Sequence, residues 1–355
     1  MTASGVRLLE GRPIADEIRI AVAEDVATFA AANGRAPGLA VVIIGRDAPS
    51  TVYLEQILRG CAKVGIHAEF VELEGEATER SVAAAIRRVN ADPSVDGVIV
   101  QMPLPPTIRL RAVIDAIDPA KDIDGIHPLN AGLLRLGYDG FLPATAHAAV
   151  EILRRSGIEI AGRDAVIIGR SAVVGMPAAF MMVKEDATVT VCHSRTRDLA
   201  EHVRQADIVI VAAGRPGLVT GAMLKPGAVV VDVGINLVDG HVVGDVDFAS
   251  AVKVASAITP VPGGVGPLTN ALLLTHLIRA AERQASARHA LARRATAREP
   301  SEREPSEREP SSTEPPEREP SSTEPPEREP SNTEPPEREP SNARPGPSAA
   351  PRGDR

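Results

Sequence analysis

The chain has 355 residues, 43% of them hydrophobic and 2% aromatic, which is enough apolar side chain for two domain-sized cores but too few rings for a single-strand stacking platform. Residues 299–355 hold 15 acidic and 8 arginine side chains, a net −7 of the chain's −8, so the part before them is close to neutral and carries no basic footprint for nucleic acid. Apolar runs such as Leu39–Ile44 and Val229–Val231 are strand-sized, the opening MTASGVRLLEGRPIADEI lacks the order of a signal peptide, and Cys61 and Cys192 form no close-spaced motif; no membrane partner and a reduced cytoplasmic setting are expected.

In chain order, LAVVIIG (39–45) reads as a buried parallel strand. A helix is predicted over about Ser50 to Lys63, with Gly65 as its C-cap signal. HAEFVEL (67–73) is a second strand, and Thr78 can cap a helix through about Asn90. GVIVQ (97–101) is a third strand, stopped by Pro103, Pro105 and Pro106, with a helix near Ile108 to Ile117. This βαβαβα order implies an α/β fold with a parallel sheet covered on both faces. The pattern restarts after Ala146 with a helix to about Ser156, a strand at 164–169, a helix from Ser171 to Lys184 and a strand at 188–192. A helix at 198–205, strands at 207–214 and 228–234 and a final helix from about Thr269 past Glu282 complete it. Two α/β domains are therefore expected, 1–145 and 146–268, the second a Rossmann-type parallel sheet. From Glu309 the unit EPSSTEPPER repeats three times to Arg338, SST becoming SNT in the third copy. Such a segment buries too little to offset its ordering entropy, so 296–355 is expected to be a disordered, extended tail. It reads either as a low-complexity expansion or as a partner-binding or solubilising tail.

The strand at 164–169 runs into GRSAVVG, Gly169 to Gly175. A glycine there permits a tight turn, and Ser171 opens a helix whose first amides can hold a pyrophosphate. The spacing is G-x-S-x-x-x-G rather than G-x-G-x-x-G, so by itself it also describes a bare strand–turn–helix connection. The next strand ends Cys192-His193-Ser194-Arg195, without the acid that an NAD site uses for the ribose hydroxyls. Arg170 and Ser194 can instead meet a 2′-phosphate, with Arg195 lending charge, and this favours NADP as cofactor. His147, His193 and His202 have no metal-ligand spacing and read as structural or exposed; no metal is expected.

Six further blocks occur in order: VQMPLPP (100–106), KDIDGIHPLNAGLL (121–134), IGRSAVVGMP (168–177), ATVTVCHSRT (187–196), GDVDF (244–248) and ITPVPGGVGPLTNA (258–271). With them the chain resembles the bifunctional methylenetetrahydrofolate dehydrogenase/methenyltetrahydrofolate cyclohydrolase family over almost all of residues 5–285. The resemblance implies a folate cleft between the two domains, a last helix (269–292) packing back on the first domain, a homodimer, and tetrahydrofolate derivatives as partners. It implies that Tyr53 lies against the folate rings, that Gln101 partners a catalytic lysine, and that Asp124 binds the pterin ring, whose N–H groups a carboxylate can accept. It also places Gly264 and Pro267 beside the substrate, and Ile235 with Gly169, Arg170, Ser171 and Ser194 beside the cofactor.

The family's helix after the first strand reads S-x-x-Y-x-x-x-K-x-K-A, then Gly-Ile. Here Ser50, Tyr53 and Gly65-Ile66 stand in register, but Ile57 occupies the catalytic lysine position and Arg59 the second lysine. The family's P-C-T-P-x-G is Pro143-Ala-Thr145-Ala-His147-Ala. The two family reactions differ in what they ask. Hydride loss from 5,10-methylenetetrahydrofolate needs alignment and electrostatics, whereas opening the product cation with water needs a titrating group. Isoleucine is none. Arg59 sits some ~200° around the helix from Ile57, Lys63 lies roughly 15 Å along the axis from Tyr53, and Gln56 does not titrate. Oxidation of methylenetetrahydrofolate is therefore expected to persist and hydrolysis to 10-formyltetrahydrofolate to be weak or absent. The alternatives are a non-catalytic NADP/folate-binding paralogue with a partner-binding tail, and an NADP dehydrogenase of small hydroxy acids, which leaves the folate blocks unexplained.

Overall fold

Strand β1 (Arg7–Leu8) leads into helix α1 (Gly11–Asn33), an element the sequence reading left without an assignment. Its buried residues, Ala15, Ile18, Val22, Val26 and Phe29, recur every three or four positions and make one stripe of a helix. Several are alanine or valine between charges, so the stripe has little contrast in sequence. Then follow β2 (Gly38–Ile44), α2 (Ala48–Val64), β3 (His67–Leu73), α3 (Glu79–Ala91), β4 (Gly97–Val100), α4 (Leu110–Ile114) and α5 (Pro128–Leu136). Thr78 caps α3 as the sequence predicts, accepting from the Ser81 amide while the Ser81 hydroxyl takes the Thr78 amide. The predicted 108–117 helix is shorter, because Ala116 and Ile117 close i→i−3 turns onto Val113 and Ile114 instead of continuing the α ladder. Helix α5 was not read from the sequence, although Pro128 at its first turn and left-handed Gly137 after it bracket it.

The second half runs α6 (Ala144–Arg155), β5 (Asp164–Ile168), α7 (Gly175–Lys184), β6 (Thr188–Cys192), α8 (Leu199–Gln205), β7 (Ile208–Val211), β8 (Val229–Asp232), β9 (Asn236–Val238), β10 (His241–Val243), α9 (Phe248–Ala251), β11 (Ala257–Ile258) and α10 (Val265–Ala297). Two helix starts differ from expectation. Helix α7 opens at Gly175 rather than Ser171, because the Ser171 hydroxyl accepts from the Val174 and Gly175 amides and holds 171–174 as a turn. Helix α10 opens at Val265 rather than Thr269, since Pro267 fits a first turn, where its missing N–H has no ladder partner to lose.

This computed structural model describes residues 5–45 and 48–297, by backbone alone at 48–54, 56 and 295–297. The expected tail structure lies outside the described residues, apart from the end of α10. Two parallel sheets organise the rest. One has the order β3-β2-β4, with Leu39 beside Ala68 and Gly97. The other has the order β1-β11-β8-β7-β5-β6, with β9 and β10 as a separate antiparallel pair. Strand β1 thus crosses to the second sheet, pairing in parallel with β11.

Every residue of β2 is buried, as an interior parallel strand requires. Its odd positions Leu39, Val41 and Ile43 join a core shared with α1, α2, α6 and α10, while Ala40, Val42 and Ile44 face a second core under α3 and α4. Each fully buried Val, Leu, Ile or Phe contributes about 1.5–3 kcal/mol, so the α1 stripe against α10 is a large share of what ties the last helix back to the first domain. Both sheets lie in one compact unit.

Candidate active site

A cavity of about 1000 Å³ opens between the carboxyl end of the first sheet, the end of β8 and the first turns of α10. Ligands of open α/β sheets gather at such strand ends. Ile57, Gln101, Asp124, Ile235, Gly264 and Pro267 all line it, so six positions named from the sequence meet in one space. The side chain of Tyr53 lies outside the described side chains. Ile57 is 4% exposed and packs in one core with Leu39, Ile99 and Leu274, which also line the cavity. The position where the sequence resemblance expects a lysine is therefore part of an aliphatic wall.

Gln101 extends the β4 ladder, its amide donating to Val42 O at 2.9 Å, and its Nε2 donates to Met102 O at 2.8 Å. Asp124 owes its place to the loop around buried Asp122, which accepts from the Ile126 and His127 amides and from Asn130 Nδ2. Gly125 then turns the chain at φ +64°, and a Cβ there would overlap the Leu142 carbonyl, so the Asp124 loop presses directly on the strand of chain before α6. Burial, then the neighbouring Asp122, push the Asp124 carboxyl up to about 7, against the Ala144 N–H that it accepts.

Sequence reading missed several lining groups: Arg12, Asp16 and Arg19 come from α1, which was not recognised. Arg59 and Lys63, weighed from the sequence as proton sources, line the cavity from the end of α2. Arg19 pairs with Asp16 and reaches Pro267 O at 3.4 Å, tying α1 to the glycine-rich turn. Arg59 pairs with Glu55 at 2.9 Å. Two buried aspartates also went unremarked. Asp245 accepts from the amides of Ala213, Gly214 and Arg215 and from Asn236 Nδ2, and Asp232 accepts from the amides of Gly234, Asp245 and Val246. Together they lock the GDVDF block (244–248) to the ends of β7 and β8. The signal was the aspartate at the end of AVVVDVG, a strand otherwise apolar.

The remaining predicted residues sit outside the cavity, at neighbouring strand ends. Ile168 and Cys192 are partners across β5 and β6, so Arg170 and Ser194 leave adjacent strands, and both are exposed. Gly169, at φ +129°, lies so close to Ala212 that a Cβ would meet its carbonyl. Val173 and Val174, on the turn that Ser171 holds, line the cavity and join this end to it. His193 organises the next loop, its Nδ1 accepting from the Arg195 amide at 3.1 Å while Thr196 Oγ1 accepts from the His193 amide at 2.9 Å. A backbone cradle that admits only glycine, two exposed arginines and no acid on 192–197 form a set that suits NADP, with its extra phosphate, better than NAD. Among the described residues no group of three or more His, Cys, Asp or Glu could hold a metal ion, and no helix is long and apolar enough to cross a membrane.

Two family models match the chain: the tetrahydrofolate dehydrogenase/cyclohydrolase catalytic domain over residues 9–124, and its NAD(P)-binding domain over 143–285. The bifunctional protein FolD of Rhodopirellula baltica is 49% identical over 294 residues, covering 79% of this chain and 98% of its own. Among solved structures, the FolD methylenetetrahydrofolate dehydrogenase/cyclohydrolase of Campylobacter jejuni superposes with a TM-score of 0.76 at 41% identity, covering 79% of this chain and 99% of that one. The Trypanosoma brucei methylenetetrahydrofolate dehydrogenase-cyclohydrolase, solved with NADP and an inhibitor, gives 0.76 at 39% identity, covering 79% and 98%.

Proposed function

The chain belongs to the tetrahydrofolate dehydrogenase/cyclohydrolase family, and from that premise we propose that it oxidises 5,10-methylenetetrahydrofolate to 5,10-methenyltetrahydrofolate with NADP, while hydrolysis of the product to 10-formyltetrahydrofolate is weak or absent. Bound NADP supplies the hydride acceptor. Gly169 and Ser171 shape the turn that receives its pyrophosphate, Arg170 and Ser194 take the 2′-phosphate beside Arg195, and Ile235 contributes apolar contact from the cavity lip. Across the cavity, Asp124 accepts N–H bonds from the pterin ring, Tyr53 lies against the rings, Gln101 orients the reacting end, and Gly264 and Pro267 bring backbone close. These groups bind and align, which is what hydride loss asks of the protein, because the folate nitrogens spread the resulting positive charge themselves.

Hydrolysis adds a demand. A proton must leave water and another must reach the departing nitrogen. Ile57 exchanges none, and Gln101 does not titrate. Arg59 is paired with Glu55, and a guanidinium is unsuited to proton exchange. The observation that carries the reading is that Ile57 is sealed into the wall shared with Gln101 and Asp124.

The test is a two-substrate assay of the purified chain and of Ile57→Lys. A lysine buried at this wall has its pKa lowered by desolvation, which suits a general base. NADPH should form from methylenetetrahydrofolate in the parent, and methenyltetrahydrofolate hydrolysis should rise on the order of 10²–10⁴-fold in the variant. Hydrolysis by the parent at the variant's rate overturns the reading; Lys63→Gln then asks whether the lysine at the cavity edge supplies the proton. A second reading, a non-catalytic NADP/folate-binding paralogue, draws on the eroded Pro143–Ala148 segment, where Ala144 is fully buried at the family's cysteine position. NADPH formation by the parent sinks it. The homodimer that the resemblance implies, and the cytoplasmic setting read from the cysteines, belong to the same proposal.

A further inference from the structure

Two histidines on different helices meet behind the Asp124 loop. His276, on α10, is 2% exposed, and its Nδ1 lies 2.8 Å from the carbonyl oxygen of Ile123. A carbonyl only accepts, so the proton of His276 is on Nδ1 and its Nε2 presents a lone pair. His147 Nδ1 lies 3.3 Å from that Nε2, with the two rings stacked at 7°. His147 must therefore donate. The line runs in one direction, His147 to His276 to Ile123. His147 is in the first turn of α6, whose first residue, Ala144, donates its N–H to the Asp124 carboxyl. The hydrogen bonds thus close a ring: Asp124 to Ala144, along α6 to His147, across to His276 on α10, and back through the Ile123 carbonyl to Asp124.

We propose that His276, supported by His147, is a positioning residue that holds the Ile123–Asp124 segment against the cavity and so sets the placement of the Asp124 carboxyl toward substrate. This rests on the folate-binding reading of Asp124 given above. The surroundings of the pair are consistent with two neutral rings. Burial holds His276 down to about 4, with His147 adding to that effect, and burial likewise lowers His147. Glu151 and Arg154 act on His147 from α6 with opposite signs. The Phe141 ring stands 6.0 Å from His276, and Arg279 and Arg283, which lie over that ring, are paired with Asp139. On the loop side, Asp122 acts on Asp124. Among the described residues, the groups acting on the two rings do not force a proton onto Nε2, where it would oppose the His147 N–H.

Three variants test this in the full chain: His276→Leu, His276→Asn and His147→Ala. The Asn side-chain N–H stands where the His Nδ1–H stood and can keep the bond to Ile123. His276→Leu should raise KM for methylenetetrahydrofolate on the order of tenfold, because a displaced orienting group costs alignment, and should leave KM for NADP unchanged. His276→Asn should recover most of that loss, and His147→Ala should fall between. A readout free of substrate is the carbon-13 titration of the Asp124 carboxyl, assigned with Asp124→Asn. It should move down from about 7 toward the ordinary carboxylate range in His276→Leu, as the loop opens to water, and return in His276→Asn. If His276→Leu lowers the melting temperature but leaves both the folate KM and the Asp124 titration where the parent has them, the role is packing and the proposal fails. A folded His276→Asn that rescues neither also overturns it. Absence of NADPH formation in the parent would instead overturn the functional reading, and the carbon-13 titration would still decide this one.

Discussion

The two ends of the proposed site are built by different means. At the cofactor end, shape comes from backbone: Gly169 pressed on Ala212, Ser171 capping its own turn, and the His193–Thr196 loop closed by side-chain bonds to amides. At the folate end, the proposed ligand contacts are side chains, on α2, at the end of β4 and on the Asp124 loop; the wall there is aliphatic at Ile57, and histidines from α6 and α10 stand behind Asp124. A turn that needs glycine tolerates little change, whereas a helical side chain can be exchanged without disturbing the path of the chain. One half of a two-step reaction can therefore be lost while the fold and the hydride step persist.

The largest effect that could break this contrast is the gain of hydrolysis in Ile57→Lys, on the order of 10²–10⁴-fold. The same change should leave NADPH formation within one order of magnitude, since positioning groups are untouched. A large loss of dehydrogenase rate in a folded variant would mean that the aliphatic wall itself binds the substrate. Next comes the cofactor end. Arg170→Ala with Ser194→Ala removes charge-assisted bonds worth roughly 1.5–3 kcal/mol each before context, so KM for NADP should rise at least about tenfold while KM for NAD stays level. A parallel rise for both cofactors would take the two residues away from the 2′-phosphate.

Much of this was legible before the structure. The strands at 67–73 and 188–192 and the capped helix after Thr78 were read with their observed limits or close to them, because alternation, turn residues and a capping threonine agree locally. What escaped depends on tertiary context. Helix α1 hides its stripe among alanines; its Arg12 and Arg19 line the cavity, where Arg19 meets the Pro267 turn 248 positions away. His276 was not singled out in the sequence; its proposed role arises from Ile123 and His147, neither near it in sequence. The helix starts at Ser171 and Thr269 were misjudged for local reasons, a hydroxyl that holds a turn and a proline that begins a helix.

A smaller effect, of known sign, follows from Asp124. Its carboxyl titrates near 7 in the folded chain, above its unfolded value of about 4. The folded state then holds the proton more tightly, so this group's contribution to stability falls as pH rises between those values and is spent above 7. Substrate binding runs the other way, because the ionised carboxyl is the better acceptor of pterin N–H bonds. KM for methylenetetrahydrofolate should fall as pH rises through about 7 while the melting temperature declines, and Asp124→Asn should flatten both curves. If KM rises with pH instead, Asp124 acts as a donor from its protonated form.

The smallest effect probes the face of the first sheet turned away from the cavity. Thr78→Ala removes the cap of α3 and should cost about 1 kcal/mol of stability, read by denaturant unfolding. Helix α3 packs through Val82, Ile86 and Val89 on Ala40, Val42 and Ile44, whereas the cavity draws on the opposite face of β2 through Leu39. A strand buried on both sides transmits little when only a helix end frays, so both KM values and the hydride rate should be unchanged. If the folate KM rises with that loss of stability, the two faces of β2 are coupled, and the separation between a fixed framework and an exchangeable wall does not hold at the first sheet.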